Sequence, residues 1–253
     1  VPRYPDPDPP ARLVQTARTL WPDGPLPPEK AAWFCGLFRR VALSDRTVVY
    51  LDPQVTVEDG AVVIDGATDV AVLRDSLPAA LQAVGVKNIR NRMRLLPEDG
   101  DLGGRRFGVC VAPMALTFDK PSETANVQTQ LLYGEALLLL DRRDGYYLGH
   151  ASDGYWGWVR EDCVRAVDVE EFKRYTAPDR AVLHRDIELS DRRMVRGSSL
   201  PVASREGDAV TLMHPDGTTF QVPAADVRVV DHSPEAAERV RKALSLLYSP
   251  YVF

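Results

Sequence analysis

Cysteine is scarce in this chain. It occurs three times, at Cys35, Cys110 and Cys163, with no CxxC or metal-type spacing, and an odd count supports no disulfide framework. Histidine is nearly as rare, at His150, His184, His214 and His232. No apolar run approaches the length of a membrane span, so none is expected. Positive charge is not in excess either. Thirty-one Lys and Arg against 36 Asp and Glu leave a net charge of -5, which argues against a nucleic-acid surface and against general attraction to anionic lipid or polymer. Recognition of any polyanion must then be local. No metal or cofactor is assigned, because nothing clusters with ligand spacing.

What is present is ordinary globular material. Of 253 residues 45% are hydrophobic and 26% charged, enough for a core and for one to three domains. The chain opens on Val1 rather than Met, and a start trimmed by signal processing or by preparation is expected. Residues 1–28 are rich in proline and read as an arm or tether, with Pro2 to Pro10 extended and a short helix over 11–21. Pro28 to Arg40 has helical spacing in Trp33, Phe34, Leu37 and Phe38, with Cys35 as a core thiol among them.

From Thr47 the period changes to two. Residues 47–51 and 54–57 read as strands, Glu58-Asp59-Gly60 as a turn, and 61–64 as a further strand that Asp65-Gly66 ends. Asp69 to Ala83 is an amphipathic helix with Pro78 as a defect, and Val86 to Leu96 completes a β-α-β pattern. Arg90, Arg92 and Arg94 alternate as a solvated face. This N-terminal α+β domain spans 29–105, and Pro97 to Arg106 (PEDGDLGGRR) is the linker that ends it.

The most informative stretch follows. Asp153-Gly154-Tyr155-Trp156-Gly157-Trp158-Val159 is an aromatic strand reached through a tight turn. Gly157 between the two Trp suggests either a bulge or a close backbone approach. Trp156 and Trp158 share a parity, so both face one side of the strand and Tyr155 the other. Packing and binding are both open readings for this cluster. Together with residues 127–135, 136–141 and 144–150 it makes a small antiparallel barrel over 106–167. Asp168 to Tyr175 is a short charged helix or turn. Turn signals at 197–201, 205–208 and 214–217 then divide a second all-β segment over 168–232, in which His214 is a turn residue. The expected fold is therefore mainly β or α+β: an α+β N-terminal domain followed by two small barrels.

No catalytic residue is assigned. Thiol-based catalysis needs a thiolate activated by a nearby His and a third group to orient that His. No Cys here stands at a helix start after a Gly turn, and Cys110 and Cys163 lie in strand-like runs that suggest burial. Ser233-Pro234-Glu235 has N-cap chemistry and leads into a helix over 236–247, then Tyr248 to Phe253.

The run TQLLYGE…LLLLDRRDGYYLGHASDGYWGWV, within residues 109–167, resembles a bacterial SH3-like domain of the kind that precedes the catalytic domain of NlpC/P60 cysteine peptidases. GSSLPV…PDGTTFQVPAADV resembles the second such repeat of those peptidases, and VTVEDGAVVIDGATD…GVKNIRNRMRLL, within residues 47–96, resembles a BON domain, an envelope module associated with phospholipid surfaces. The peptidase resemblance implies cleavage of the γ-D-glutamyl–diamino acid bond of cell-wall peptides. It implies that residues 233–253 open a catalytic domain, since Pro250-Tyr251-Val252-Phe253 matches the approach to the nucleophile with Phe in place of Trp, and that the catalytic residues lie downstream. The partners implied are that missing domain and a peptide such as L-Ala-γ-D-Glu-diaminopimelate, in the cell envelope or outside the cell, or in cytoplasmic peptide recycling. The family's recognition residues map to Tyr155 and to Gln128, which stands where relatives carry an acid that pairs with the substrate amine. Glu123 and Asp153 are the nearby acids that could substitute, and Trp156 is a supporting residue. A stand-alone binding module for cell wall or protein and an envelope structural protein are the alternatives.

Overall fold

The computed structural model describes residues 9–43, 45–98, 102–177 and 179–229. The expected C-terminal helix over 236–247, the Pro250–Phe253 segment and most of the extended Pro run lie outside these residues.

The N-terminal part is three helices on one face of a small sheet. Helices α1 (Pro9–Leu20), α2 (Ala31–Ala42) and α3 (Ala71–Ala83) cover strands β1 (Leu51–Glu58), β2 (Ala61–Thr68), β3 (Ile89–Asn91) and β4 (Arg94–Leu95). The expected arm over 1–28 is thus partly core: Pro9 opens α1, and Leu13, Ala17 and Leu26 are buried against α2 and α3. Phe34, Cys35 and Phe38 bury as their spacing requires, while Trp33 stays exposed and meets Trp21 edge-on at 6.1 Å. Pro78 leaves α3 intact. It lacks the N–H that Arg74 O would accept, and the Asn91 side chain donates to that carbonyl at 3.1 Å instead.

Two local expectations change. Asp65-Gly66 does not end the hairpin. The strand runs on to Thr68, with Gly66 opposite Pro53 of the edge strand β1. Residue 66 must be glycine, since φ is +101° and a Cβ there would lie 2.0 Å from Asp52 O. Residues 47–50 are not part of the strand either; they bend, with Thr47 O accepting from Trp156 N of the next unit and Tyr50 held by Asp69 of their own.

That unit is a seven-stranded barrel sheet of β5 (Phe107–Cys110), β6 (Met114–Phe118), β7 (Val127–Leu132), β8 (Ala136–Arg143), β9 (Tyr146–His150), β10 (Trp156–Arg160) and β11 (Val164–Val167), ordered β11-β5-β8-β9-β10-β6-β7. Helix α4 (Val169–Thr176) follows. Its Asp168 accepts from the Glu170 and Glu171 amides, completing a capping box with Glu171. Strands β12 (Arg180–Leu183), β13 (Ile187–Glu188), β14 (Arg193–Met194), β15 (Ser199–Glu206), β16 (Ala209–Met213), β17 (Thr219–Pro223) and β18 (Val227–Val229) form the last unit, ordered β17-β16-β15-β12-β18 with β13 and β14 paired apart.

The two barrels repeat one plan. In each, the first strand (β5, β12) lies between the last (β11, β18) and an eight-residue fourth strand (β8, β15), and a 3-10 turn precedes the last strand, at Glu161–Cys163 and Ala224–Asp226. Each also carries a hairpin between its first and fourth strands, β6-β7 and β13-β14. The molecule is mainly β with an α+β N-terminal part, as its periodicities suggest.

The first barrel has an apolar interior of its own, and the core of the second is continuous with Val109, Tyr133, Ala136 and Val167 of the first. Cys110, Leu131, Leu139 and Val159 fill the first, and Leu183, Met194, Leu200 and Leu212 lie at the centre of the second. Trp156 and Trp158 point the other way. With Leu140 and Leu148 they form an outer face packed on Tyr50, Ala67 and Leu96 of the N-terminal part. Polar groups complete this junction: Arg94 donates to the buried Asp141 at 2.8 Å. Arg94 is therefore a junction residue rather than part of a solvated stripe, whereas Arg92 is exposed beside Glu58.

Candidate functional site

The aromatic strand begins at a tight turn, Ala151 to Tyr155. Gly154 adopts φ +90° and its N–H donates to Ala151 O at 3.0 Å, while Ala151 N donates to Tyr155 O at 2.9 Å. Asp153 fixes the turn on two sides. Its Oδ1 accepts from Tyr155 N at 2.9 Å and its Oδ2 from the Thr129 hydroxyl at 2.6 Å, so the turn is tied to β7 next to Gln128.

Gly157 shows why it lies between two tryptophans. It is paired in register with Gly149, without a bulge, and a Cβ there would lie 2.5 Å from Thr117 Oγ1 and 3.4 Å from Gln128 Cβ. Close approach is therefore the operative reading: the missing side chain lets the β6-β7 hairpin close against β10. Tyr155, 37% exposed, precedes this contact by two residues. The structure thus gathers Tyr155, Asp153, Thr129 and Gln128 at one mouth of the first barrel.

The remaining candidates lie elsewhere. Glu123 pairs with Arg160 at 2.7 Å, at the opposite end of β10 from the turn, about 13 Å away for four strand steps. It is not the acid that replaces a carboxylate at position 128. Asp153 is near enough, and its orientation is fixed by one bond within the turn and one to Thr129 of β7. Trp156 is buried behind the strand, its indole N–H donating to Arg46 O at 2.7 Å and its ring meeting Tyr50, so it supports the turn from the rear rather than offering a surface.

Two features escaped the sequence. His150, at the end of β9, places Nδ1 2.9 Å from Gly154 O and Nε2 2.6 Å from Asp69 Oδ2. His214 opens its turn as expected, with Gly217 N donating to its carbonyl at 2.9 Å, but its side chain is buried: the ring stacks on Phe220 at 4.3 Å and Nδ1 lies 3.0 Å from the Tyr133 hydroxyl. Arg192 donates to that same hydroxyl and pairs with Asp216 and Asp191, so the Tyr133 proton is directed to His214. Each imidazole finds its partner 81 residues away, a distance at which no periodicity speaks. The one local hint is that His150 directly abuts the Asp-Gly turn.

A groove of about 790 Å³ runs from this turn between the two barrels, lined by Glu135, His150, Ser152, Phe172, Tyr175 and Arg180 among others. Glu135 holds the turn from this side, accepting from the Ser152 hydroxyl and from Leu132 N. Among the described residues, no group of three or more His, Cys, Asp or Glu is arranged to hold a metal ion, and no helix is long and apolar enough to cross a membrane. The thiols are not activated. Burial pushes Cys35 and Cys110 up to about 12 and raises Cys163 as well, and among the described residues none bonds an imidazole.

Comparison with known proteins bears on this barrel. Residues 117–163 match the family model of the bacterial dipeptidyl-peptidase SH3 domain. No curated protein matches the chain. Among solved structures, the chain is similar to an NlpC/P60 family protein from Bacillus cereus ATCC 10987, at 13% identity and TM-score 0.40 over 48% of this chain and 55% of that one. It is also similar to an NlpC/P60 endopeptidase from Photobacterium damselae subsp. piscicida, at 16% identity and TM-score 0.35 over 51% of this chain and 33% of that one. The chain thus spans about half and one third of the lengths of these two proteins. The matched segment runs from β6 through the 3-10 turn before β11 and includes Gln128, Asp153, Tyr155 and both tryptophans: this chain carries a bacterial SH3 domain of the dipeptidyl-peptidase type.

Proposed function

We propose that this chain is the substrate-recognition and scaffold part of a peptidoglycan-peptide hydrolase of the NlpC/P60 type, which cuts γ-D-Glu–diamino acid bonds with a catalytic domain outside the chain. The observation that carries the reading is the family match at 117–163 together with the turn inside it that brings Tyr155 and Gln128 to one barrel mouth. In this role Tyr155 offers an exposed phenol ring against the peptide and Gln128 offers its side-chain carbonyl to the terminal ammonium of L-Ala. A carboxylate at that position would make a charge-assisted bond roughly twice as strong as a neutral one. Asp153, the nearest carboxylate, is oriented toward Tyr155 N and the Thr129 hydroxyl and so is committed to holding the turn. The reading therefore includes weaker selection for a free amine than in relatives that carry an acid there.

The test uses the complete protein with its catalytic domain. Gln128→Glu should raise kcat/KM for peptides with a free N-terminal L-Ala over their N-acetylated forms, and Tyr155→Ala should lower it for both. An equal response of both substrates to Gln128→Glu removes that residue from the site.

A further inference from the structure

We propose that His150 is a protonation-operated clamp on the recognition turn: as an imidazolium it joins Asp69 of the N-terminal part to the carbonyl of Gly154, and its deprotonation releases the turn that presents Tyr155. The geometry requires two donors. Nε2 stands 2.6 Å from a carboxylate oxygen and Nδ1 2.9 Å from a backbone carbonyl, and neither partner has a hydrogen to give. Neutral imidazole carries one N–H and can satisfy one of them; the other nitrogen would then set a lone pair against a lone pair at bonding distance. Only the doubly protonated ring satisfies both.

The clamp is rigidly held. The side chains of His150 and Asp69 are 16% and 11% exposed. Asp69 is itself fixed, its Oδ1 accepting from Tyr50 N at 3.1 Å. The charged groups around the ring are Asp69 from the N-terminal part and Asp153 from the turn. Glu135 lies beyond Ser152, and Tyr175 and Arg180 stand across the groove. Burial alone lowers the imidazole's proton affinity; the bonds to Asp69 and Gly154 and the charges of Asp69 and Asp153 outweigh it, and the net direction is upward. A group raised in this way stabilises the closed clamp fully below the free histidine value of about 6.5, and the effect is lost as pH rises through the higher folded value.

That the clamp governs substrate capture rests on the recognition role proposed above; the clamp itself does not. The decisive measurement is an NMR titration of the chain 1–253 without substrate. We expect both ring nitrogens of His150 to be protonated at neutral pH, with a midpoint above that of free histidine. The Tyr155 amide and the Trp156 indole N–H should shift with the same midpoint. Asp69→Asn should move it down, and His150→Gln should abolish the titration of the turn signals. A His150 midpoint at or below the free value, or turn signals that do not follow it, overturns the clamp, and the unaltered chain alone decides this if a variant fails to fold. A second arm follows kcat/KM of the complete enzyme on a free-amine peptide across the same range. A titrating clamp with pH-independent peptide recognition counts against the recognition reading and not against the clamp.

Discussion

Tyr50 and Trp156 meet edge to face across the junction of the N-terminal part and the first barrel, with ring centroids 5.0 Å apart and planes at 76°. Around them the backbone of residues 46–47 is bound to β10, since Trp156 N donates to Thr47 O at 2.9 Å and Trp156 Nε1 to Arg46 O at 2.7 Å. The aromatic strand is therefore completed by residues about a hundred positions earlier. Its two tryptophans form a junction between units rather than the interior of a barrel.

That placement sets the cost of losing Trp158. The ring is fully buried against Tyr50, Leu96 and Leu148, with the Arg143 guanidinium 5.2 Å from its centroid. Trp158→Ala should destabilise the chain by about 3–5 kcal/mol, as large aromatic truncations do, and chemical denaturation followed by circular dichroism measures it. An unchanged midpoint would mean that the ring packs on nothing.

Two glycines should respond in opposite directions. Gly66→Ala puts a methyl into Asp52 O at a positive φ, so it should lower stability by more than about 1 kcal/mol. Gly36 lies on the exposed face of α2 with open space around it. Gly36→Ala should raise stability by about 0.5–1 kcal/mol through helix propensity alone. Melting temperatures of the two variants, measured side by side, check both signs.

The acid limb of stability should depend on His214. Its burial, and Arg192 nearby, lower its proton affinity, and the Tyr133 hydroxyl bond needs a neutral Nδ1. A depressed histidine contributes stability that is complete above the free value of about 6.5 and declines as acid is added. His150 acts with the opposite sign, so the whole-chain slope mixes the two. The difference between the unaltered chain and His214→Gln, in urea midpoints taken from about pH 7.5 to pH 5, isolates the His214 part. It should shrink toward the acid end; a constant difference would show that His214 does not titrate there.

What the sequence made legible was local. The Asp-Gly turn, the parity of Trp156 and Trp158 and the strand content of both barrels all follow from neighbours a few residues apart. Gly157 announced itself as either bulge or close approach, and only the position of Thr117 on another strand decides between them. Residues 47–50 have the composition of a strand but bend, since Thr47 O is taken by Trp156 N of β10 and Tyr50 by Thr68 and Asp69 at the end of β2, so no ladder forms. Glu123 was a plausible acid by chain distance and is remote in space, since the β6-β7 excursion carries it to the Arg160 end of β10. His150 with Asp69, and Tyr133 with His214, are pairs across unit boundaries, for which alternation has no signature.

In each barrel the first and last strands are paired. Phe107 lies directly opposite Val167, and Ala181 opposite Val229. The chain therefore arrives at and leaves each barrel at points about 5 Å apart, one strand spacing. A unit whose two ends leave side by side can be inserted into, or duplicated within, a longer polypeptide without straining its neighbours. The eight-residue helix α4, capped by its own Asp168, spans the step from one barrel to the next. Where each barrel begins and stops is thus set independently of how the two pack on one another, as at Tyr133 and His214.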